Sequence, residues 1–86
     1  MSETRGARLK RLAMRSWRRG TKEMDLILGP YADAALPALG DRELALYDAL
    51  LAENDPDLYR WASGQQAPPE THREMLEAIR RFHGIA

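Results

Sequence analysis

The scarcity of β-branched aliphatic side chains constrains this chain more than any other feature. Valine is absent from all 86 residues, and isoleucine occurs only at positions 27, 79 and 85. Strands depend on β-branched residues to cover a pleated surface, so the sequence disfavours a sheet. A chain of 86 residues has room for one small core. We therefore expect one all-α domain over residues 1–86, with an ordered core at about 8–83.

Glycine, proline and capping residues divide the chain into five segments in which apolar residues recur at helical spacing. Each segment would give one apolar face to a shared core, and the short links predict a five-helix bundle. The expected segments are a first helix from Thr4 to about Arg18, a second after Thr21 that is interrupted at Gly29-Pro30, a third from Asp41 to about Ala52, a fourth from Asp55 to near Gly64, and a last from about Pro69 to His83.

Local signals also predict how the helices end. Gly20 is expected to take the positive φ of a helix C-cap, and Thr21 to cap the start of the second helix. Asp41 and Asp55 are expected to be the N-caps of the third and fourth helices, and Gly84 to stop the last one.

Aromatic side chains are expected to serve mainly the core. Tyr59 and Trp61 lie in the fourth segment, where aromatic rings more often pack inward than bind ligands. Phe82 falls on the inward stripe of the last helix. Trp17 falls on the inward stripe of the first helix, but it also neighbours the glycine corner and could line a contact surface.

A net charge of zero conceals two halves of opposite sign. Residues 1–22 hold eight lysines and arginines against one acid, a net charge of +7, and residues 23–86 hold five bases against twelve acids, a net charge of −7. This division predicts either an anionic partner for the first helix or packing of that helix against the acidic remainder of the chain.

The residues needed for catalysis or metal binding are scarce. Cysteine is absent, which excludes disulfides and thiolate chemistry. His72 and His83 are the only histidines, and 11 residues of helix would separate them by about 16 Å, so they cannot share a metal ion. Both are expected at the surface. Capping and the helix dipole would account for Asp55 and Asp57. We expect no enzymatic activity and no metal site.

The sequence predicts neither a membrane-spanning helix nor a secretion signal, because no apolar run approaches the roughly 20 residues that a span requires. We therefore expect a soluble, cytoplasmic protein.

Two blocks carry a family resemblance. Arg11–Asp25 contains the pattern RGxxE at Arg19, Gly20 and Glu23, and Asp55–Trp61 reads DPDLYRW. Together, in this order and at this spacing, they resemble the succinate dehydrogenase assembly factor 2 family, whose members are small helical proteins that promote covalent attachment of FAD to a flavoprotein. The resemblance spans roughly residues 8–82.

The resemblance implies a binding role for the corner between the first two helices. Arg19, Gly20 and Glu23 would dock on the flavoprotein subunit of succinate dehydrogenase, and in some bacteria on that of fumarate reductase. Arg19 would offer its planar fork to the partner, and Glu23 would pair with a basic group or hold Arg19 in position. The expected periphery of this surface is Trp17, Arg15, Arg18 and Lys22.

The resemblance also implies assistance rather than catalysis. The chain would bind no cofactor stably and would act on FAD attachment within its partner, in which a histidine attacks the 8α-methyl carbon of the flavin. We expect a monomer that forms a transient heterodimer with the flavoprotein.

Two other functions follow from the residues alone. Arginines along the first helix could track phosphates, as in a small nucleic-acid-binding protein, although the acidic remainder argues against it. An antitoxin-like adaptor that masks another protein is the third possibility.

Overall fold

The computed structural model describes residues 3–85 and confirms the all-α prediction. Five α-helices and one 3-10 turn make up the fold, and no strand occurs within that range. The elements are α1 (Arg5–Ser16), α2 (Lys22–Ala35), the 3-10 turn (Leu36–Ala38), α3 (Asp41–Leu51), α4 (Asp55–Ala62) and α5 (Glu70–Phe82).

The helices α1 and α2 are capped at their first turns by threonines. The Thr4 hydroxyl accepts a hydrogen bond from the Ala7 amide at 3.1 Å. The Thr21 hydroxyl accepts one from the Met24 amide at 3.3 Å, which confirms Thr21 as the N-cap of α2. Each bond satisfies one of the amides that the first turn leaves without an intrahelical partner.

The predicted caps of α3 and α4 were wrong by one residue. Gly40 is the N-cap of α3, and Asp41 is its first helical residue. Asn54 is the N-cap of α4, where its side-chain oxygen accepts from the Asp57 amide at 3.0 Å. Asparagine caps a helix as well as aspartate does, so Asp55 is released for another contact.

The helix α2 passes through Pro30 without a break, contrary to the predicted interruption. Proline removes one intrahelical hydrogen bond and crowds the preceding turn, which disfavours it inside a helix. Here Leu28, Tyr31 and Ala32 are buried on both sides of the proline. Their packing outweighs the local preference, as expected for helices that are stabilised chiefly by tertiary contacts.

The core lies where all five helices meet and consists mainly of leucines. Tyr47 is its largest fully buried side chain, and its ring centroid lies 5.8 Å from that of Tyr31. Burial raises the pKa of Tyr47 to about 12. Phe82 was predicted to face inward but is 44% exposed, with edge-to-face contacts to Tyr31 and His83.

The two oppositely charged halves of the sequence pack against each other. Arg11 on α1 donates to Asp48 on α3 at 3.0 Å and to Glu3 at 2.9 Å. Arg15 donates to the other carboxylate oxygen of Asp48 at 3.0 Å. The hydrogen bond from Arg11 lowers the pKa of Asp48. The second explanation of the charge division, self-complementary packing, therefore accounts for much of the positive charge on α1.

Candidate functional site

The segment between α1 and α2, residues 17–21, forms a sharp corner with Gly20 at its turn. Gly20 has a φ of 103°, a conformation that glycine adopts without strain. A Cβ at this position would lie 3.8 Å from Asp55 Oδ2, which is an ordinary contact. Backbone conformation rather than crowding thus requires glycine here. The positive φ was predicted correctly, but the C-cap assignment was wrong, because α1 ends at Ser16 and its C-cap is Trp17.

The Arg19 side chain is held by three acceptors where α3 ends and α4 begins, within residues 51–55. Its Nε donates to Asp55 Oδ1 at 2.9 Å. Its two terminal nitrogens donate to the carbonyls of Leu51 and Glu53, each at 2.7 Å. The Arg19 side chain is 11% exposed and that of Asp55 is 14% exposed. This almost fully desolvated ion pair joins the two sequence blocks that carried the family resemblance.

The guanidinium of Arg19 therefore does not present a free fork at the surface, as the sequence had suggested. The chain supplies its own acidic and carbonyl-lined site for this side chain. The Arg19 backbone amide is also bound, donating to Asp25 Oδ1 at 2.8 Å. Capping had been the explanation for Asp55, but its carboxylate serves Arg19 instead. In this arrangement Arg19 fixes the corner, and its contact with a partner stays a prediction.

Glu23 is the exposed acid of the corner. It lies in the first turn of α2, where a negative charge interacts favourably with the helix dipole. Its carboxylate makes no hydrogen bond or ion pair within residues 3–85, so it does not hold Arg19 in position. Glu23 lines an open groove of about 490 Å³ between α2 and α4, together with Tyr59.

Tyr59 belongs to this surface rather than to the core. It is 41% exposed, whereas Trp61 on the same helix is buried as predicted. The prediction that Tyr59 packs in the core was wrong. The helix α4 has only eight residues, about two turns, and residues two positions apart on a helix face different sides. No sequence signal separated the two aromatic residues.

The cations predicted at the edge of the docking surface differ in their contacts: Arg15 has an ion pair, and Arg18 and Lys22 have none within residues 3–85. Arg15 is engaged with Asp48 and with the Leu51 carbonyl, at 3.0 and 3.3 Å. Arg18 and Lys22 are exposed and have no ion pair with any residue that the structure describes. These two cations flank the corner on either side of Gly20.

Trp17 is both packed and exposed. Its indole lies against α2 at Gly29, so close that a Cβ on Gly29 would be 2.4 Å from two ring atoms. The indole N–H donates to Asp33 at 3.1 Å. The other side of the ring stays open, and 40% of the residue is exposed. Trp17 thus fixes α1 on α2 and still offers an aromatic surface beside the corner.

The two histidines have structural contacts. His72 was expected at the surface but is buried, with Nε2 2.8 Å from the Glu53 carboxylate and its ring centroid 5.7 Å from that of Trp61. His83 is exposed and lies 2.7 Å from the Ile27 carbonyl oxygen. Over residues 3–85, no three histidine or acidic side chains are grouped as a metal ion would require.

None of the helices in the described range is long and apolar enough to cross a membrane.

Comparison with known proteins identifies a family. Residues 10–83 match a family model described as "Flavinator of succinate dehydrogenase". Succinate dehydrogenase assembly factor 2 of Drosophila grimshawi, a mitochondrial protein, is 35% identical over 83 residues, which cover 93% of this chain and 56% of the fly protein. FAD assembly factor SdhE of Legionella pneumophila (strain Lens) is 36% identical over 63 residues, which cover 73% of this chain and 80% of that protein. The chain thus spans about half the length of the fly relative and most of the bacterial one.

Proposed function

This chain belongs to the family of flavinators of succinate dehydrogenase, and we propose that it binds the flavoprotein subunit of that enzyme and promotes covalent attachment of FAD. The observation that carries the proposal is the corner at residues 19–23. There an exposed, unpaired carboxylate stands on a backbone that a desolvated ion pair holds in place.

The residues of the corner would have different parts in binding. Glu23 would contact the flavoprotein directly, pairing with a basic group, since no cation within residues 3–85 forms an ion pair with it. Arg19 and Gly20 would act mainly by fixing the position from which Glu23 projects. Arg18 and Lys22 would meet acidic groups at the edge of the interface. Trp17 would add its open ring face.

The proposed mechanism is assistance to chemistry that takes place within the flavoprotein. The chain would bind a conformation of the immature subunit in which the acceptor histidine and the flavin are correctly placed. Binding one conformation more tightly than the others raises its population, which is sufficient to accelerate the attachment. The chain itself would hold no cofactor stably and would not act as an enzyme.

We also propose a second partner, an oligomeric state and a cellular compartment for this chain. The flavoprotein of fumarate reductase would be a second partner if it presents the same surface. We propose a monomer that forms a transient heterodimer, in a bacterial cytoplasm. Relatives of this chain occur both in mitochondria and in a bacterium.

Nucleic-acid binding receives no support from the structure. Arg11 and Arg15 are engaged with acids of the same chain, so α1 does not present a continuous row of free cations to phosphates. No described contact favours an antitoxin-like adaptor either.

Reconstitution with purified components tests the proposal. The flavoprotein subunit with non-covalent FAD is incubated with this chain, and covalent flavin is followed as fluorescence of the denatured subunit. We expect wild type to accelerate attachment and Glu23→Gln to lower the rate about tenfold, the effect of losing roughly 1.4 kcal/mol of binding at subsaturating concentration. Glu74→Gln is the matched control, because it removes an exposed acid from α5. Equal rates with and without wild type would overturn the proposal.

A further inference from the structure

An apolar groove runs between α2, α4 and α5, next to the groove that Glu23 lines. Its walls include Leu26, Ile27, Tyr59, Ala62, Ile79 and Ile85, and its volume is about 240 Å³. Leu26 is 52% exposed and Ile85 is 42% exposed. Large apolar side chains scattered singly over a surface need no explanation, but a concave group of them is typical of an interaction site.

The size of the apolar groove fits one or two large side chains. An apolar cavity of about 150 Å³ is sufficient to hold a benzene molecule in other proteins. A phenylalanine, leucine or methionine from another chain would therefore fill much of this space. Docking it would remove Leu26, Tyr59 and Ile85 from water together.

The apolar groove is continuous with the corner. Tyr59 lines both this groove and the one that contains Glu23. On α2, Leu26 and Ile27 follow Glu23 by three and four residues, the spacing at which helical side chains become neighbours about 5 Å apart. Anything that binds Glu23 thus lies within one helical turn of the apolar groove.

Charge complementarity restricts what the occupant can be. Asp25 and Asp55, two other acids of the corner region, are engaged with Arg19. At the α2 end, Glu23 has no ion pair within residues 3–85, whereas Arg80, which donates to the Ala62 carbonyl, and His83 line the α5 side of the apolar groove. A fitting segment would carry a basic residue and, about one helical turn away, a large apolar side chain.

We propose that the apolar groove is the second half of the flavoprotein docking surface and receives such an apolar side chain from that partner. This inference depends on the proposed function for the identity of the partner. It adds that the interface extends from the corner along α2 to the end of α5. Leu26, Tyr59 and Ile85 would contribute affinity there, as apolar and aromatic anchors at interface centres commonly do.

Equilibrium binding to the purified flavoprotein subunit tests this inference. Leu26→Gln keeps a helix-compatible side chain but removes the apolar surface, and we expect it to raise Kd about tenfold. Ile85→Gln lies beyond the last helix and leaves the sequence of α2 unchanged, and it should have a similar effect. Ala45→Gln places the same side chain on an exposed site of α3, outside both grooves, and should bind like wild type. Circular dichroism and urea unfolding establish that each variant is folded.

The outcomes separate the two proposals. If wild type does not bind the flavoprotein, the proposed function fails and this inference with it. If Glu23→Gln weakens binding while Leu26→Gln and Ile85→Gln do not, the proposed function stands and the apolar groove is not part of the interface. Sedimentation of wild type and Leu26→Gln tests a third case, in which the apolar groove binds a second copy of this chain. A self-association that the variant abolishes, with unchanged flavoprotein binding, would assign the groove to a second copy and overturn the inference.

Discussion

Removing the carboxylate of Asp55 should destabilise the whole domain. The change Asp55→Asn keeps the size of the side chain and leaves an oxygen that can still accept from Arg19. It removes the negative charge that faces the guanidinium at 2.9 Å. Arg19 then keeps three neutral acceptors, the two backbone carbonyls and the amide oxygen, and its charge stays where only 11% of the side chain is exposed to solvent.

The expected magnitude follows from this burial. Removing one partner of a fully buried ion pair costs about 3–5 kcal/mol, whereas exposed pairs contribute about 0–1 kcal/mol. The pair of Arg19 and Asp55 is slightly exposed, and the amide retains a neutral hydrogen bond, so we expect a loss of about 2–3 kcal/mol. A domain of this size shifts its Tm by about 4–8 °C per kcal/mol, which gives a decrease of roughly 10–20 °C.

Urea and thermal unfolding, followed by circular dichroism, measure this loss. Glu74→Gln is the matched control because Arg42 and Glu74 form an ion pair at a similar distance, 2.8 Å, with side chains that are 67% and 58% exposed. The control should lose less than about 0.5 kcal/mol. A double-mutant cycle with Arg19→Gln should give a coupling energy of about 1–3 kcal/mol. Equal losses for Asp55→Asn and Glu74→Gln would refute the structural role assigned to this pair.

Three further predictions concern packing and pH. Gly29→Ala places a Cβ 2.4 Å from the Trp17 indole and should cost about 1–3 kcal/mol, measured as a lower urea midpoint, since the ring must move. The hydrogen bond from Arg11 lowers the pKa of Asp48, so its contribution is complete above the ordinary value of 3.8 and is lost as pH falls through the lowered value. The stability difference between wild type and Asp48→Asn should therefore vanish in acid. Burial raises the pKa of Tyr47 from 10 to about 12, so stability should fall as pH rises through that range, and Tyr47→Phe should reduce this alkaline loss.

The fold could be predicted from the sequence because two independent signals, the apolar stripes and the helix start and stop residues, indicated the same helices. Each helix combined an apolar stripe with a stop or start signal, and five such segments with short links leave few arrangements other than a bundle. Local preference failed where tertiary packing opposed it. Pro30 lies inside α2 because residues on both sides of it are buried.

The site was harder to predict because its contacts join distant parts of the chain. Arg19 and Asp55 are 36 residues apart, and both had acceptable local explanations, one as a surface cation and the other as a cap. The burial of His72 likewise depends on Glu53, which belongs to another connection. The resemblance identified both blocks, but only the structure shows that they touch.

We infer that this chain promotes flavin attachment through the surface of the corner at residues 19–23. The most direct test is covalent flavin in the succinate dehydrogenase flavoprotein, read as in-gel fluorescence, in cells that lack this protein and are complemented with variants. We predict that fluorescence falls without the protein, returns with wild type and Glu74→Gln, and stays low with Glu23→Ala or Gly20→Arg at equal protein level. Fluorescence that is unchanged by the deletion, or that Glu23→Ala restores fully, would contradict the claim.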